Sequence, residues 1–340
     1  NIWDDYPAPM YNRPFYEACD ALLGISKQTV NINKLVLGEE KAKTKLIKYV
    51  PHGLNEDIFK PMDQDDPKLK EFKQNIFKGK EYDFVLFFNS RNIRRKQIPD
   101  TLVAYKFFID SLPEEQAKKC AFMLHTHVVD DNGTDLGAVC EYLFDNNPKY
   151  NIIFSSMPLA PEQMNLLYNS SDAQILLTSN EGWGLTLTEA MLAGNPIIAN
   201  STGGMQDQCG FKKKSTKKYF TADDYKQIGS LHNWREWQDK VTHGDWVKPV
   251  FPKVQTMVGS LPTPYIIDDK VDVYEVADAI RYWYDKTPQE RKEAGLEGRK
   301  EFMGEMGLNA KNQNKQMADG IETAMKNWKP KKKFNVYKIR

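Results

Sequence analysis

The chain has 340 residues, of which 41% are apolar, enough to furnish cores for two domains of ordinary size. Lys and Arg number 47 against 46 Asp and Glu, a formal net charge of +1, so no global field draws the protein to nucleic acid or to an anionic surface, and any anion site must be local. Cys19, Cys120, Cys140 and Cys209 have no C-x-x-C spacing, which signals neither a zinc cluster nor a disulfide framework and fits a reducing compartment. No apolar run approaches bilayer length, which predicts a cytoplasmic protein, with peripheral membrane association left open.

In chain order, the opening "NIWDDYPAPMYNRPFYEACD" reads as mid-domain, so the natural N-terminus is expected to lie upstream. "DALLGIS", a helix from Lys27 and "LIKYVPHG" then read as the last β-α-β of a doubly wound domain, followed by the linker "LNEDIFKPMDQDDP". A whole domain of that kind needs on the order of 100 to 150 residues, so residues 1–61 are expected to be its C-terminal part only. From Tyr82 onward, the apolar runs "DFVLFFNS", "CAFMLHTH", "NIIFSS", "AQILLTS" and "PIIAN" alternate with helical patterns, among them Ile98 to Leu112, Leu136 to Phe144, Pro161 to Tyr168 and Thr186 to Ala193. Continuous apolar strands separated by helices imply a parallel sheet covered on both faces, a second doubly wound domain over 62–306.

Residues 205–264 break the alternation and carry Tyr219, Phe220, Tyr225, Trp234, Trp237, Trp246 and Phe251. A stretch of that length is expected to have structure of its own, with the aromatics as its core; a wall of a binding site or an oligomer contact is the other reading. Helices from Asp272 to Asp285, Pro288 to Met306 and Asn309 to Trp328 close the chain, with 307–340 forming a helix that packs back and a basic tail. The sequons at Asn132, Asn169 and Asn200 are read as chance, because the last two fall at element ends.

Three post-strand loops carry the candidate chemistry, since ligands of open α/β sheets bind beyond the carboxyl ends of the strands. "FNSRNIRRKQ" crowds Arg91, Arg94, Arg95 and Lys96 into one loop, where a polyanion such as a diphosphate would relieve their mutual repulsion. "NEGWGLTLTEA" places Gly182 and Gly184 where the backbone can approach a ligand and aims a helix N-terminus at it. "NSTGGMQDQ" supplies the pair Gly203 and Gly204. Leu187 stands where a dinucleotide fingerprint needs its third glycine, and there is no Walker A sequence. His125, His127, Asp130 and Asp131 in "HTHVVDD" suggest a metal, but zinc would want a third ligand and the chain has five histidines; no metal is expected. Thr186 and Glu189 also have capping-box spacing, which by itself would explain Glu189.

"EGWGLTLTEAMLAGNPIIA" resembles the E-x7-E signature of the nucleotide-sugar-dependent, retaining family-four glycosyltransferases of GT-B fold, with Glu181 and Glu189 at the two acid positions. "RNIRRK", "YVPHGLNEDIFKP" and "STGG" fall where that family has its matching segments, so the resemblance covers nearly the whole chain. It implies two Rossmann-like domains, the first truncated, and transfer of a sugar from a UDP- or GDP-sugar to a glycan, lipid or protein acceptor. By that resemblance Arg91 and Lys96 would hold the donor diphosphate, and Glu189 the ribose. Glu181 would hold the transferred sugar, while Gly182, Trp183, Gly184 and Leu185 offer backbone N–H groups and Thr202 and Gly203 complete the donor site. The Arg-to-Lys spacing is shorter than the common pattern, so Arg95 could take the role given to Lys96. The family's glycine-rich first loop and its histidine near the sugar are not visible, and His52 is read as a structural loop residue. A front-face mechanism needs no cofactor or metal, and the nucleotide-sugar is a co-substrate. The rival class is a non-catalytic nucleotide-sugar-binding module; no nucleic-acid partner is expected, and an oligomer is left open.

Overall fold

The computed structural model describes residues 12–228, 238–261 and 263–330. Strands β1 (Ala21–Gly24) and β2 (Leu46–Tyr49) pair in parallel, connected through the helices Lys27–Leu37 and Glu39–Thr44. Ser26 starts the first of these helices by accepting from Thr29 N at 3.0 Å, which satisfies one orphan N–H. The helix Ala310–Asn327 crosses from the far end of the chain and lies on β1, where Gly320 lets Leu23 approach; Ala310 N donates to Leu54 O at 3.1 Å beside it.

The second unit is built on strands β3 (Phe84–Asn89), β4 (Cys120–His125), β5 (Asn151–Ser155), β6 (Ala173–Leu176) and β7 (Ile197–Asn200). Short strands β8 (Lys212–Lys213) and β9 (Val241–Thr242) pair apart from it, and β10 (Val247–Val250) rejoins it. The sheet is wholly parallel, in the order β10-β7-β6-β3-β4-β5. Renumbered within the unit this is 3-2-1-4-5-6, the doubly wound order whose direction of winding reverses between β3 and β6. Phe84, Phe87, Phe88, Phe122 and Ile175 are fully buried, as strands covered on both faces require, and each such side chain contributes on the order of 1.5–3 kcal/mol by burial.

Residues 205–264, expected as one insertion, divide. Val247–Val250 is the sixth strand of the main sheet, and Pro249 within it is tolerated because β10 lies at an edge. Strands β11 (Val254–Ser260) and β12 (Thr263–Lys270) form an antiparallel hairpin after it. In between, Phe211 stacks on Phe251 at 5.8 Å and Phe220 meets Tyr225 edge-on at 5.7 Å, so these aromatics pack on one another. Trp234 and Trp237 lie outside the described residues, as do 331–340 of the basic tail. The helix Pro67–Ile76, capped by Asp66 through Lys68 N at 2.8 Å, begins where the linker was expected to end; Leu69 is its fully buried anchor. Among the described residues no helix is long and apolar enough to cross a membrane.

Candidate functional site

The loops after β3 and β6 leave the sheet at its switch point, and one main-chain and one side-chain hydrogen bond tie them together. Ser179 N donates to Arg95 O at 2.7 Å, and Gln97 Nε2 donates to Leu177 O at 2.5 Å. Gln97 adopts left-handed geometry (φ 51°), which turns the short 3-10 segment Arg94–Lys96 into the helix Ile98–Asp110. Across from it, Gly184 at φ 89° caps the helix Leu185–Leu192 in a conformation that favours glycine. Among the described residues the backbone N–H groups of Gly182, Trp183, Gly184 and Leu185 have no acceptor, so this helix end presents unpaired donors.

Lys96 Nζ and Arg95 Nη1 both donate to Glu181 Oε2, Arg95 at 2.9 Å; Arg95 also reaches Asn180 O at 2.7 Å and Thr178 Oγ1 at 3.3 Å. The Lys96 and Glu181 side chains are only 9% and 13% exposed, whereas Arg95 is 36% exposed. Burial alone would raise the Glu181 carboxyl, but the two cations outweigh it and hold it below the usual carboxylate range. Burial lowers the Lys96 ammonium despite the support of Glu181. One carboxylate between two cations leaves a positive charge uncompensated. The arrangement can therefore take an anion at the point where the helix amides are also unpaired.

Glu189 is placed apart from this cluster. Its Oε2 accepts from Tyr168 Oη at 2.5 Å and from Asn89 Nδ2 at 3.4 Å, and Asn89 Nδ2 also donates to Tyr168 Oη at 2.9 Å. Burial raises the carboxyl, offset in part by Tyr168. The capping-box reading is corrected: the N-cap is Gly184, Thr186 lies inside the helix with its hydroxyl unpartnered, and Glu189 turns to Tyr168 instead.

Arg91 does not join Arg95 and Lys96 on Glu181. It grips Asp130 in a bidentate pair, Nε to Oδ2 at 2.8 Å and Nη2 to Oδ1 at 3.2 Å, and remains 60% exposed. Both residues line an open cleft of about 470 Å³ with Asn89, His125, Ser155 and Pro158, at the carboxyl ends of β3, β4 and β5. His125 Nδ1 is hydrogen-bonded to Ser155 Oγ at 2.9 Å. Trp183 is a core residue, its indole N–H donating to Thr188 Oγ1 at 3.0 Å, so only its backbone faces the site. The loop after β7 closes on this segment: Gly204 N donates to Glu181 O at 3.2 Å, and a Cβ on Gly204 would stand 2.2 Å from Gly182 O. Beside it Gly203 has φ 53°, and Thr202 is buried. His52 in the linker contacts Gln313 Nε2 at 3.1 Å and sets its ring edge-on to Trp183, which fits a structural residue. Asn169 and Asn200 are buried and hydrogen-bonded within the fold.

Residues 148–227 match the family model described as glycosyl transferases group 1. Among solved structures, sucrose-phosphate synthase from Thermosynechococcus elongatus is 18% identical over 93% of this chain and 61% of its own, with a TM-score of 0.61. Anabaena HepE, solved with UDP-glucose, is 14% identical over 95% of this chain and 70% of its own, with a TM-score of 0.62. A glycosyltransferase from Rickettsia africae is 13% identical over 94% and 68%, with a TM-score of 0.60. The chain thus spans from about 61% to 70% of the length of these structures. A sequence comparison with curated proteins finds no match. These findings define an α/β protein of GT-B fold in which residues 148–227 are similar to the group 1 glycosyl transferases.

Proposed function

We propose that the chain transfers a sugar from a nucleotide-sugar donor, UDP- or GDP-linked, to an acceptor hydroxyl with retention of anomeric configuration. The observation that supports this most is the convergence of Lys96 and Arg95 on Glu181 at the sheet's switch point, beside the unpaired amides of Gly182–Leu185. A leaving nucleoside diphosphate gains negative charge as the bond from its phosphate oxygen to the anomeric carbon breaks. Cations and amides fixed in advance stabilise that state more than the ground state. In this reading Lys96 and Arg95 exchange Glu181 for the diphosphate, and Glu181 is released to the sugar hydroxyls. Glu189, with Tyr168 and Asn89 behind it, accepts from the ribose hydroxyls. Arg91 and the His125–Ser155 cleft face the base side of the nucleotide. The acceptor oxygen attacks on the face the leaving group vacates, and its proton passes to the departing phosphate oxygen, so no protein base and no metal is required. HepE is a GT-B neighbour solved with UDP-glucose, which favours a nucleotide-sugar as the ligand class.

A thermal-shift panel of UDP, GDP, ADP and their sugars tests the ligand class, because a ligand at one hundred times its Kd adds about 2.7 kcal/mol of stability. Slow release of nucleoside diphosphate from the bound donor, with the sugar freed in its original anomeric form, distinguishes a retaining transferase from a binding module. Stabilisation without any release supports the binding module; no stabilisation by any member of the panel overturns both.

A further inference from the structure

We propose that the β11–β12 hairpin clamps the two loops of the donor site, and that Asp268 and Asp269 are its positioning residues. The inference rests on the donor-site reading above and adds residues that neither the family resemblance nor the site motifs contain. Asp269 is fully buried, and both its carboxylate oxygens are engaged: Oδ2 accepts from Thr202 Oγ1 at 2.5 Å, and Oδ1 from Gln255 Nε2 at 2.6 Å. Gln255 is its partner directly across the hairpin, so one oxygen is tied to the hairpin and the other to the loop after β7. The backbone of the same residue reaches the other loop, with Asp269 N donating to Ser179 O at 2.9 Å. Asn200 Nδ2 then links the pieces, donating to Asp269 O at 2.9 Å and to Thr178 O at 3.0 Å. Asp268 Oδ1 accepts from Asn180 Nδ2 at 2.6 Å.

Two consecutive residues of one strand therefore hold the neighbours in sequence of both donor segments. Asn180 precedes Glu181, and Thr202 precedes Gly203. Neither acid reaches the cleft itself; each acts through the loop residue it bonds. The arrangement works against stability, since burial pushes the Asp269 carboxyl up to about 6 and the charged form is the costly one. Fixing the orientation of a loop whose amides must meet a diphosphate is what the buried charge supplies.

The test compares the wild-type chain with Asp269→Asn and with Thr202→Val, which cuts the same bond from the loop side and leaves the hairpin untouched. Backbone hydrogen exchange is followed in residues 178–184 and 200–204, together with calorimetric binding of UDP and GDP and thermal unfolding. The expected result for Asp269→Asn is exchange faster by about tenfold in both loops, unchanged exchange in β3–β5, and a melting temperature equal to or above wild type. The nucleotide that binds the wild type binds about tenfold more weakly. Thr202→Val loosens 200–204 in the same way. Unchanged loop exchange in both variants overturns the clamp, as does a lowered melting temperature with faster exchange throughout the second unit. If the wild type binds neither nucleotide, the donor-site reading fails while the exchange result still decides the clamp.

Discussion

Lys96 and Glu181 are ion-paired in the protein as it stands, through the same carboxylate oxygen that Arg95 contacts at 2.9 Å. The sugar-side acid and the phosphate-side cations of the proposed donor site are thus each other's partners. Glu181→Gln removes the competing charge, so free nucleoside diphosphate should bind more tightly, by about three- to tenfold, while the intact sugar donor gains nothing. Lys96→Ala should act in the opposite direction, weakening nucleoside diphosphate by about 1.5–3 kcal/mol. Calorimetry on both variants checks the sign: loss of affinity in both would contradict the exchange of partners.

The same pair sets a pH dependence. The Glu181 carboxyl is held below its ordinary value, so its contribution to stability is present above the unfolded value of about 4.3 and is lost as pH falls through the folded value. At neutral pH the wild type should exceed Glu181→Gln in stability by about 1–3 kcal/mol, because the variant leaves buried Lys96 short of a counter-charge. Denaturant titrations from pH 7 to pH 3 should show that gap closing only below about pH 4. A gap that stays constant would mean the carboxylate's charge is not what stabilises the loop.

Glu189 and Tyr168 make a separate prediction. Glu189→Gln removes a raised, buried carboxyl, so folding should change little, while every nucleotide loses about 1–3 kcal/mol whether or not it bears a sugar. Tyr168→Phe leaves Glu189 with Asn89 alone at 3.4 Å and should cost about 1–3 kcal/mol of stability. Denaturation and nucleotide titration of the two variants separate these effects.

Much of this architecture was legible in the sequence, and the reasons are local. Continuous apolar runs marked β3 to β7, and the Arg/Lys loop and the two acids stand next to the glycines that turn the chain. What was not legible depends on residues distant in the chain. Tyr168 meets Glu189 from 21 positions away, Asn89 from 100, and Thr202 meets Asp269 from 67. The division of the cations is of the same kind: one loop holds Arg91, Arg95 and Lys96, but Arg91 pairs with Asp130, 39 positions away, and the other two with Glu181. β10 was missed because Pro249 disguises an edge strand, and the capping box was a true spacing with a false partner.

Two glycines with different surroundings test the close approach of the loops. Gly204→Ala would drive a Cβ to 2.2 Å from Gly182 O, so it should destabilise by about 1–3 kcal/mol and weaken nucleotide binding with it. Gly79→Ala meets nothing within 4 Å and pays only for its φ of 75°, about 1 kcal/mol, with binding unchanged. Equal effects on binding would mean that the contact between the two loops does not shape the site.

The central claim is that Lys96, Arg95 and the amides of Gly182–Leu185 form a diphosphate site. Isothermal titration of UDP and GDP into the wild type and into Lys96→Ala, each repeated with a chelator, tests it directly. The account predicts one saturable site for one of the two nucleotides in the wild type, the same affinity with the chelator present, and a tenfold or greater loss in Lys96→Ala, about 1.4 kcal/mol or more. Binding that is abolished by the chelator, or that is equal in the two proteins, would contradict it.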